Sequence, residues 1–553
     1  MGGCKAHGAT AALARLARPQ RRGLMTEARV AVVGGGLTGL TTAYYLAQKL
    51  RNWRTSCCMR LAAGWAVGFG RTAWPSTWTG CAAPSTSSAG RARSRRWRRT
   101  RRARRSGALR PGGAAGPPAT QARGTGALHL VPGPALRVPE ATSMRGLVSE
   151  PLVRHMFWGL VGALIKYPAC ERLPVEDLSV AEWIGRISMG RSLATIGASA
   201  MIHGIYGGDI DKLSARAVLE RFYWWYHLPK LPQGWYRMTR REHELMTSLS
   251  GDEQIRQLAL EAKGSLLHFG GAGMEALPAA LAAALGRQAN VTVRTGAAVE
   301  AMGYDAGRDK VTVRVASARG AESAAAFDRV VCTSSGQALA RATGGRLPTL
   351  DQMSAVSIMT VNLWYPRRLV IPRSFGYLIP LAAETNPERA LGVFFDSDVG
   401  VAGPDEPAGT KLFALLGGHY YDGETGARPP SEAEAVAQVK RLLERQLGIS
   451  PSTPCHVSAR LARDCIPQYT VGHADRMDRL HAELRAAFAG RLTVAGGSYS
   501  AIGAMAALRA GHDAATLVAR GRATGLEHVT PHGPDDFVQL HARDIPVRRH
   551  AAC

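Results

Sequence analysis

The stretch ARVAVVGGGLTGLTTAYYLAQKL constrains the fold of this chain more than any other. Val30 to Val33 is a short apolar run of the kind a buried parallel strand uses. Gly34, Gly36 and Gly39 come next at GxGxxG spacing, and then an amphipathic helix. The first glycine permits a tight turn, the second lets backbone approach a pyrophosphate, and the third lets the helix pack on the strand, so that the helix N-terminus meets the phosphates. Gly34, Gly35, Gly36, Leu37, Thr38 and Gly39 are therefore the expected dinucleotide cradle. The alternative is a glycine-rich turn without a ligand, but strand and helix flank these glycines in the order that binding requires.

Such a site needs a carboxylate at the end of its second strand, to accept hydrogen bonds from the adenosine ribose. Between Ala28 and Pro139 the chain has no Asp or Glu. Residues 51–126 hold 16 Arg, no Lys and five of the 11 Trp, with the run RARSRRWRRTRRARR. One reading is a basic arm for nucleic acid through residues 91–105, since arginines interleaved with an aromatic suit a phosphate backbone. The genetic code supports another. Read from the third base of the Cys57 codon, Cys57 to Ala66 permits Leu-Tyr-Glu-Ala-Gly-Gly-Trp-Val-Gly, an apolar strand ending in the required glutamate. Residues 51–126 are thus expected to be out of frame, to replace the second strand and to pack poorly.

The formal charge of +27 does not describe a uniformly basic protein. Residues 1–139 carry 24 Lys and Arg against one acid, so +23 lies there and only +4 in residues 140–553. Nine cysteines without a CxxC pair argue against a zinc site or a disulfide framework and suit a reducing compartment. Residues 1–26 contain five basic residues and no acid in an Ala/Leu-rich stretch, as mitochondrial presequences do; the alternative is a leader preceding a start at Met25. No apolar run reaches the roughly 18–20 residues that cross a bilayer, so any membrane association should be monotopic.

Residues 127–265 read as a helical region, with LVRHMFWGLVGALIKYP and the aromatic FYWWYHLPKLPQGWY suited either to a membrane interface or to a core. Residues 266–345 read as a Gly-rich turn, a helix and a β-meander, with the backbone at Val299 a candidate adenine contact. Residues 346–460 alternate as sheet strands, and 461–522 end in strand, Gly-rich turn and helix, leaving 523–553 as a tail. Two phosphate-type turns this far apart favour FAD in a discontinuous domain over NAD in a contiguous one.

MIHGIYGGDIDKLSARAVL, VNLWY, SFGYLIP, LGVFFDSD, LGGHYY, DCIPQYTVGHADRM and LTVAGGSY together resemble the protoporphyrinogen oxidases of the flavin-containing amine oxidase superfamily, and most the fungal mitochondrial form. The resemblance covers about 30–50 and 127–520 and has no counterpart in 51–126. It implies an α/β plus α+β architecture: a discontinuous Rossmann-like FAD-binding domain of p-hydroxybenzoate hydroxylase type (28–50, 266–345, 461–522), a mixed-sheet substrate domain and a helical membrane-binding domain. It also implies oxidation of protoporphyrinogen IX to protoporphyrin IX by O2, six electrons with H2O2 released, peripherally at the mitochondrial inner membrane, with a homodimer left open and no nucleic acid as partner. Carried over by motif, Gly497, Ile502, Gly503 and Ala504 approach the isoalloxazine and Leu378 lines the substrate pocket. No metal is implied.

The chain departs from the family at Met505 and Ala506, where an Asn-Asp pair is usual, and in the substrate-facing Arg expected within 51–126. His203, His419 and His473 invite a catalytic assignment, yet each sits in a motif whose expected role is structural. The competing readings are another FAD oxidase or desaturase of apolar substrates, an inactive gene-model product, and the nucleic-acid binder.

Overall fold

The computed structural model describes residues 28–50, 54–59, 128–130, 151–166, 174, 176–261, 273–317, 322–371, 375–381, 386–399, 407–422, 428–527, 531 and 533–546. Its chain divides into two compact units. The first takes residues 1–63, 277–351 and 478–529, and the second takes 64–276, 352–477 and 530–553. Candidate presequence and basic run both lie outside the described residues.

The first unit is built on strands β1 (Arg29–Val33), β2 (Arg54–Met59), β3 (Val291–Thr295), β4 (Ala297–Asp305), β5 (Lys310–Ser317), β6 (Glu322–Phe327), β7 (Arg329–Cys332) and β8 (Leu492–Val494). Five of them form a sheet in the order β8-β7-β1-β2-β3, parallel throughout. Val30 to Val33, Val330 to Cys332 and Leu492 to Val494 are all buried, as expected of a parallel sheet covered on both faces. The other three form the antiparallel meander β4-β5-β6.

The expectation that residues 51–126 replace the second strand is corrected here. β2 lies between β1 and β3, with Val30 beside Thr55, Val33 beside Cys58, and Met59 beside Thr295. A strand hydrogen-bonded beside β1 counts against reading residues 51–126 as out of frame, and the rest of that segment lies outside the described residues. The error came from judging the segment by its arginines as a block, whereas Thr55 to Met59 is itself an uncharged strand former.

In the second unit a six-stranded sheet runs, in spatial order, His456–Gln468, Ser354–Tyr365, Thr410–Gly417, Ala390–Phe394, Gly376–Leu378 and Leu128–Leu130. Every pairing in it is antiparallel, where a mixed sheet was expected. Among these strands 354–417 succeed one another without a long crossover helix, so neighbours reverse direction. Helix Glu432–Leu447 covers one face through Ala435, Val439, Leu442 and Leu443, packed with Val361, Leu363, Tyr365 and Leu412. Its N-terminus is closed by a Ser431–Glu434 capping box and its C-terminus by Gly448 at φ 68°.

The aromatic patch divides between the two roles considered for it. Tyr223, Trp224 and Tyr226 are buried, while Phe222, Trp225, Trp235 and Tyr236 are exposed. Helix Pro151–Lys166 sets Gly159 against Leu193 and Gly162 against Met189, leaving Phe157, Trp158, Leu164 and Ile165 exposed. Among the described residues no helix is long and apolar enough to cross a membrane.

Candidate functional site

The glycine turn after β1 has the geometry that its spacing implies. Gly34 takes φ +116°, a conformation closed to most side chains, and a Cβ there would lie 2.4 Å from Thr333 Oγ1. A Cβ on Gly39 would lie 2.0 Å from the Gly34 carbonyl oxygen, so helix α1 (Leu37–Lys49) can pack this closely only with glycine there. Gly36 differs from both. It caps α1 in extended backbone, and a Cβ on it would meet no protein atom within 4 Å.

The second Gly-rich turn arrives beside the first. Helix α2 (Ala504–Arg520) lies on α1, with Gly511 so close that a Cβ would be 2.7 Å from the Thr38 carbonyl oxygen. Gly496, at φ +116°, faces Thr38 Oγ1, and Gly503, at φ +103°, caps α2 with nothing within 4 Å of its ideal Cβ. Neither α1 nor α2 has a side-chain N-cap hydrogen bond or an acid in its first turn. Two helix N-termini with free amides and no competing carboxylate favour an anionic ligand. These residues fit a flavin dinucleotide: the Gly34–Gly39 turn would hold its pyrophosphate, and Gly497, Ile502, Gly503 and Ala504 belong to the second turn.

Val299 is half-buried on β4, just past the β3 edge of the parallel sheet, at an irregularity between Val299 and Ala301. β2 itself carries no acid through Met59. Leu378 belongs to the second unit, buried against Gly204 and Gly392. Two contributors escaped the sequence reading. The Thr333 hydroxyl donates to the Val33 carbonyl at 3.0 Å and shapes the space behind the first turn, and the Ser498 hydroxyl accepts from Gly336 N at 3.2 Å. The signal available was the polar CTSS directly after an apolar strand.

His203 and His419 meet inside the second unit, their Nε2 atoms 3.1 Å apart. His203 Nδ1 lies 2.7 Å from the Ile379 carbonyl oxygen, which can only accept, so Nδ1 carries the proton and Nε2 accepts from His419. The backbone amide of His419 donates to the Gly207 carbonyl at 2.7 Å. The pair ties two motifs of the second unit together, whereas the nucleotide turns belong to the first. His473 packs at a tilt against Tyr469 with ring centroids 4.6 Å apart, and its buried Nε2 has no hydrogen-bond partner among the described residues.

Burial pushes both His203 and His473 down to about 4. The unfolded chain takes up these protons near pH 6.5, so the stability that neutral rings provide is present above pH 6.5 and lost as pH falls towards 4. Each ring accounts for roughly 3 kcal/mol of that loss. His473→Phe, which deletes no hydrogen bond at Nε2, should leave stability at pH 7.5 nearly unchanged and make its fall below pH 6.5 shallower; chemical denaturation across pH is the check, and an unchanged slope refutes it.

The family model described as flavin containing amine oxidoreductase matches residues 187–519, most of the chain. The chain belongs to this family. It is an oxidoreductase with FAD as its cofactor. It is 26% identical over 358 residues to the protoporphyrinogen oxidase of Schizosaccharomyces pombe, covering 62% of this chain and 68% of that protein. With the Homo sapiens protein of the same name identity is 28% over 406 residues, covering 71% and 77%. Among solved structures, a candidate protoporphyrinogen oxidase from Exiguobacterium sp. 255-15 superposes with a TM-score of 0.58 at 20% identity, over 90% of this chain and 99% of that one. A redesigned putrescine oxidase reaches 0.50 at 14% identity, over 90% and 99%. These two likenesses concern the fold alone.

Proposed function

We propose that this flavoprotein oxidises protoporphyrinogen IX to protoporphyrin IX, with O2 as the electron acceptor and H2O2 as the second product. The observation that carries the reading is the match to proteins of that name from fungi and animals across most of the chain, at 24–28% identity. FAD supplies the redox chemistry, accepting hydride equivalents and passing electrons to O2. The chain's own part is to hold and orient. Gly34 to Gly39 and the α1 N-terminus would hold the pyrophosphate, and the Gly496–Gly503 turn would offer backbone to the flavin ring. No side-chain nucleophile is required, which fits the structural placement of His203, His419 and His473.

Membrane association belongs to the same proposal, at the mitochondrial inner membrane and peripheral. Phe157, Trp158, Leu164 and Ile165 form an exposed apolar face on one helix, with Leu164 74% exposed, and rings such as Trp225 are exposed elsewhere in the same unit. Leu164→Glu with Ile165→Glu should abolish co-sedimentation with anionic vesicles while leaving turnover of detergent-dispersed porphyrinogen within about twofold, since the change lies on a solvent-facing surface. Undiminished vesicle binding would refute this face as the anchor.

Activity is read by mixing the FAD-loaded chain with protoporphyrinogen IX and following porphyrin fluorescence beside H2O2. Three H2O2 per porphyrin, abolished by removing O2, is the expected stoichiometry for a six-electron oxidation. H2O2 release with amines and none with porphyrinogen would transfer the chain to the amine-oxidising branch of its family.

A further inference from the structure

The parallel sheet has a second charged end, where its strands begin, opposite the glycine turns. Arg329 opens β7 there and is only 8% exposed. Its Nε and Nη1 are buried without a hydrogen-bond partner among the described residues. Arginines buried to this degree are ordinarily paired, because a guanidinium removed from water without an acceptor is strongly disfavoured.

The neighbouring carboxylates are already engaged. Asp309 is held by Arg491 through Nε at 3.0 Å and through Nη2, by Arg522 Nη2 at 2.6 Å, and by the Tyr304 hydroxyl at 2.8 Å. The Arg491 guanidinium accordingly holds its carboxyl down to about 2. Asp328 takes the Arg29 amide at 2.8 Å and Lys310 Nζ at 3.3 Å. Cations outnumber acids here: burial disfavours the Arg329 charge most, and Arg491 and Arg522 add repulsion that Asp309 and Asp328 only oppose from a distance, without a hydrogen bond to it. Arg522, about half exposed, and exposed Arg29 leave the cluster open to solvent at its rim.

We propose that Arg329, Arg491 and Arg522 form a binding site for a small phosphate-type oxyanion at the edge of the sheet where β1, β7 and β8 begin. A planar guanidinium matches such an ion by paired N–H donors, and a divalent oxyanion offsets more of the excess charge than chloride does. The site lies at the opposite end of the strands from the pyrophosphate turn, and it does not depend on which substrate the flavin oxidises.

Inorganic phosphate is the probe, added to the full chain saturated with FAD so that the glycine turn is already filled; the frame-restored chain, which contains the same cluster, serves if the chain does not hold FAD. Phosphate should raise the melting temperature saturably, by roughly 2–5 °C at tenfold above its Kd, whereas KCl at matched ionic strength does not. Arg329→Met should lose that rise and, in phosphate-free buffer, melt at or above the unsubstituted protein, because it removes an uncompensated buried charge. Arg522→Met, at the exposed rim, should fold and bind phosphate at least fivefold more weakly. The proposal is overturned by a flat phosphate response, by an equal response in Arg329→Met, or by Arg329→Met melting lower without phosphate, which would mean that another part of the chain already neutralises Arg329. Unchanged affinity in Arg522→Met also overturns it.

Discussion

Restoring the reading frame after the Cys57–Cys58 overlap, through codon 126, should raise the FAD that each purified chain retains. β2 ends at Met59, level with Thr295 of β3, and the overlapping frame writes its glutamate across the Met59 and Arg60 codons. That is where a parallel dinucleotide site needs its ribose acceptor. Charged hydrogen bonds to the two ribose hydroxyls would contribute about 3–4 kcal/mol, some 10²- to 10³-fold in affinity. The presence of β2 removes one of the losses that the sequence suggested, so the effect should fall on flavin retention more than on the existence of the sheet. Flavin absorbance per protein and porphyrin fluorescence in both forms measure it. Equal flavin content and activity would show that the Arg-rich residues after Met59 are a tolerated insertion, and transcript sequencing across these codons would then agree with the chain as it stands.

Gly36→Val, made in the frame-restored chain, should remove FAD while sparing the fold. Its backbone, φ −74° and ψ 176°, is open to any residue, and its Cβ would meet no protein atom, so the apoprotein should lose about 1 kcal/mol or less through the weakened helix cap. The same side chain would fill the open space at Gly36 that the proposed pyrophosphate would need. Gly39→Ala gives the opposite pattern, since its Cβ collides at 2.0 Å with backbone and destabilises the unit with or without ligand. Melting temperature and flavin content separate the two, and a yellow Gly36→Val protein with normal stoichiometry would reject this turn as the cofactor cradle.

The features legible along the chain were local. A glycine that must be a glycine betrays itself by spacing, because the steric demands at Gly34 and Gly39 arise within a few residues. Strand and helix types came from apolar periodicity, as in the unbroken buried run of β1 and the alternating burial of Thr410–Gly417. The second turn could be recognised as a strand, glycines and a helix, but its closeness to the first could not be measured. Gly511 against Thr38 joins residues hundreds of positions apart.

Tertiary structure alone decided the rest. It kept a strand at Arg54–Met59 because β1 and β3 offered edges on both sides, outweighing the Arg-rich composition beyond Met59. It split the aromatic run into buried Tyr223 and Trp224 and exposed Phe222 and Trp225, a helical rotation that composition cannot show. His203 met His419 across 216 residues, and Arg329 went into the interior with its neighbouring acids already taken. Each of these outcomes depends on which distant groups share a packed space. Burial and pairing energies are set by that neighbourhood, whereas the turn sterics and periodicity that a sequence displays act over only a few residues.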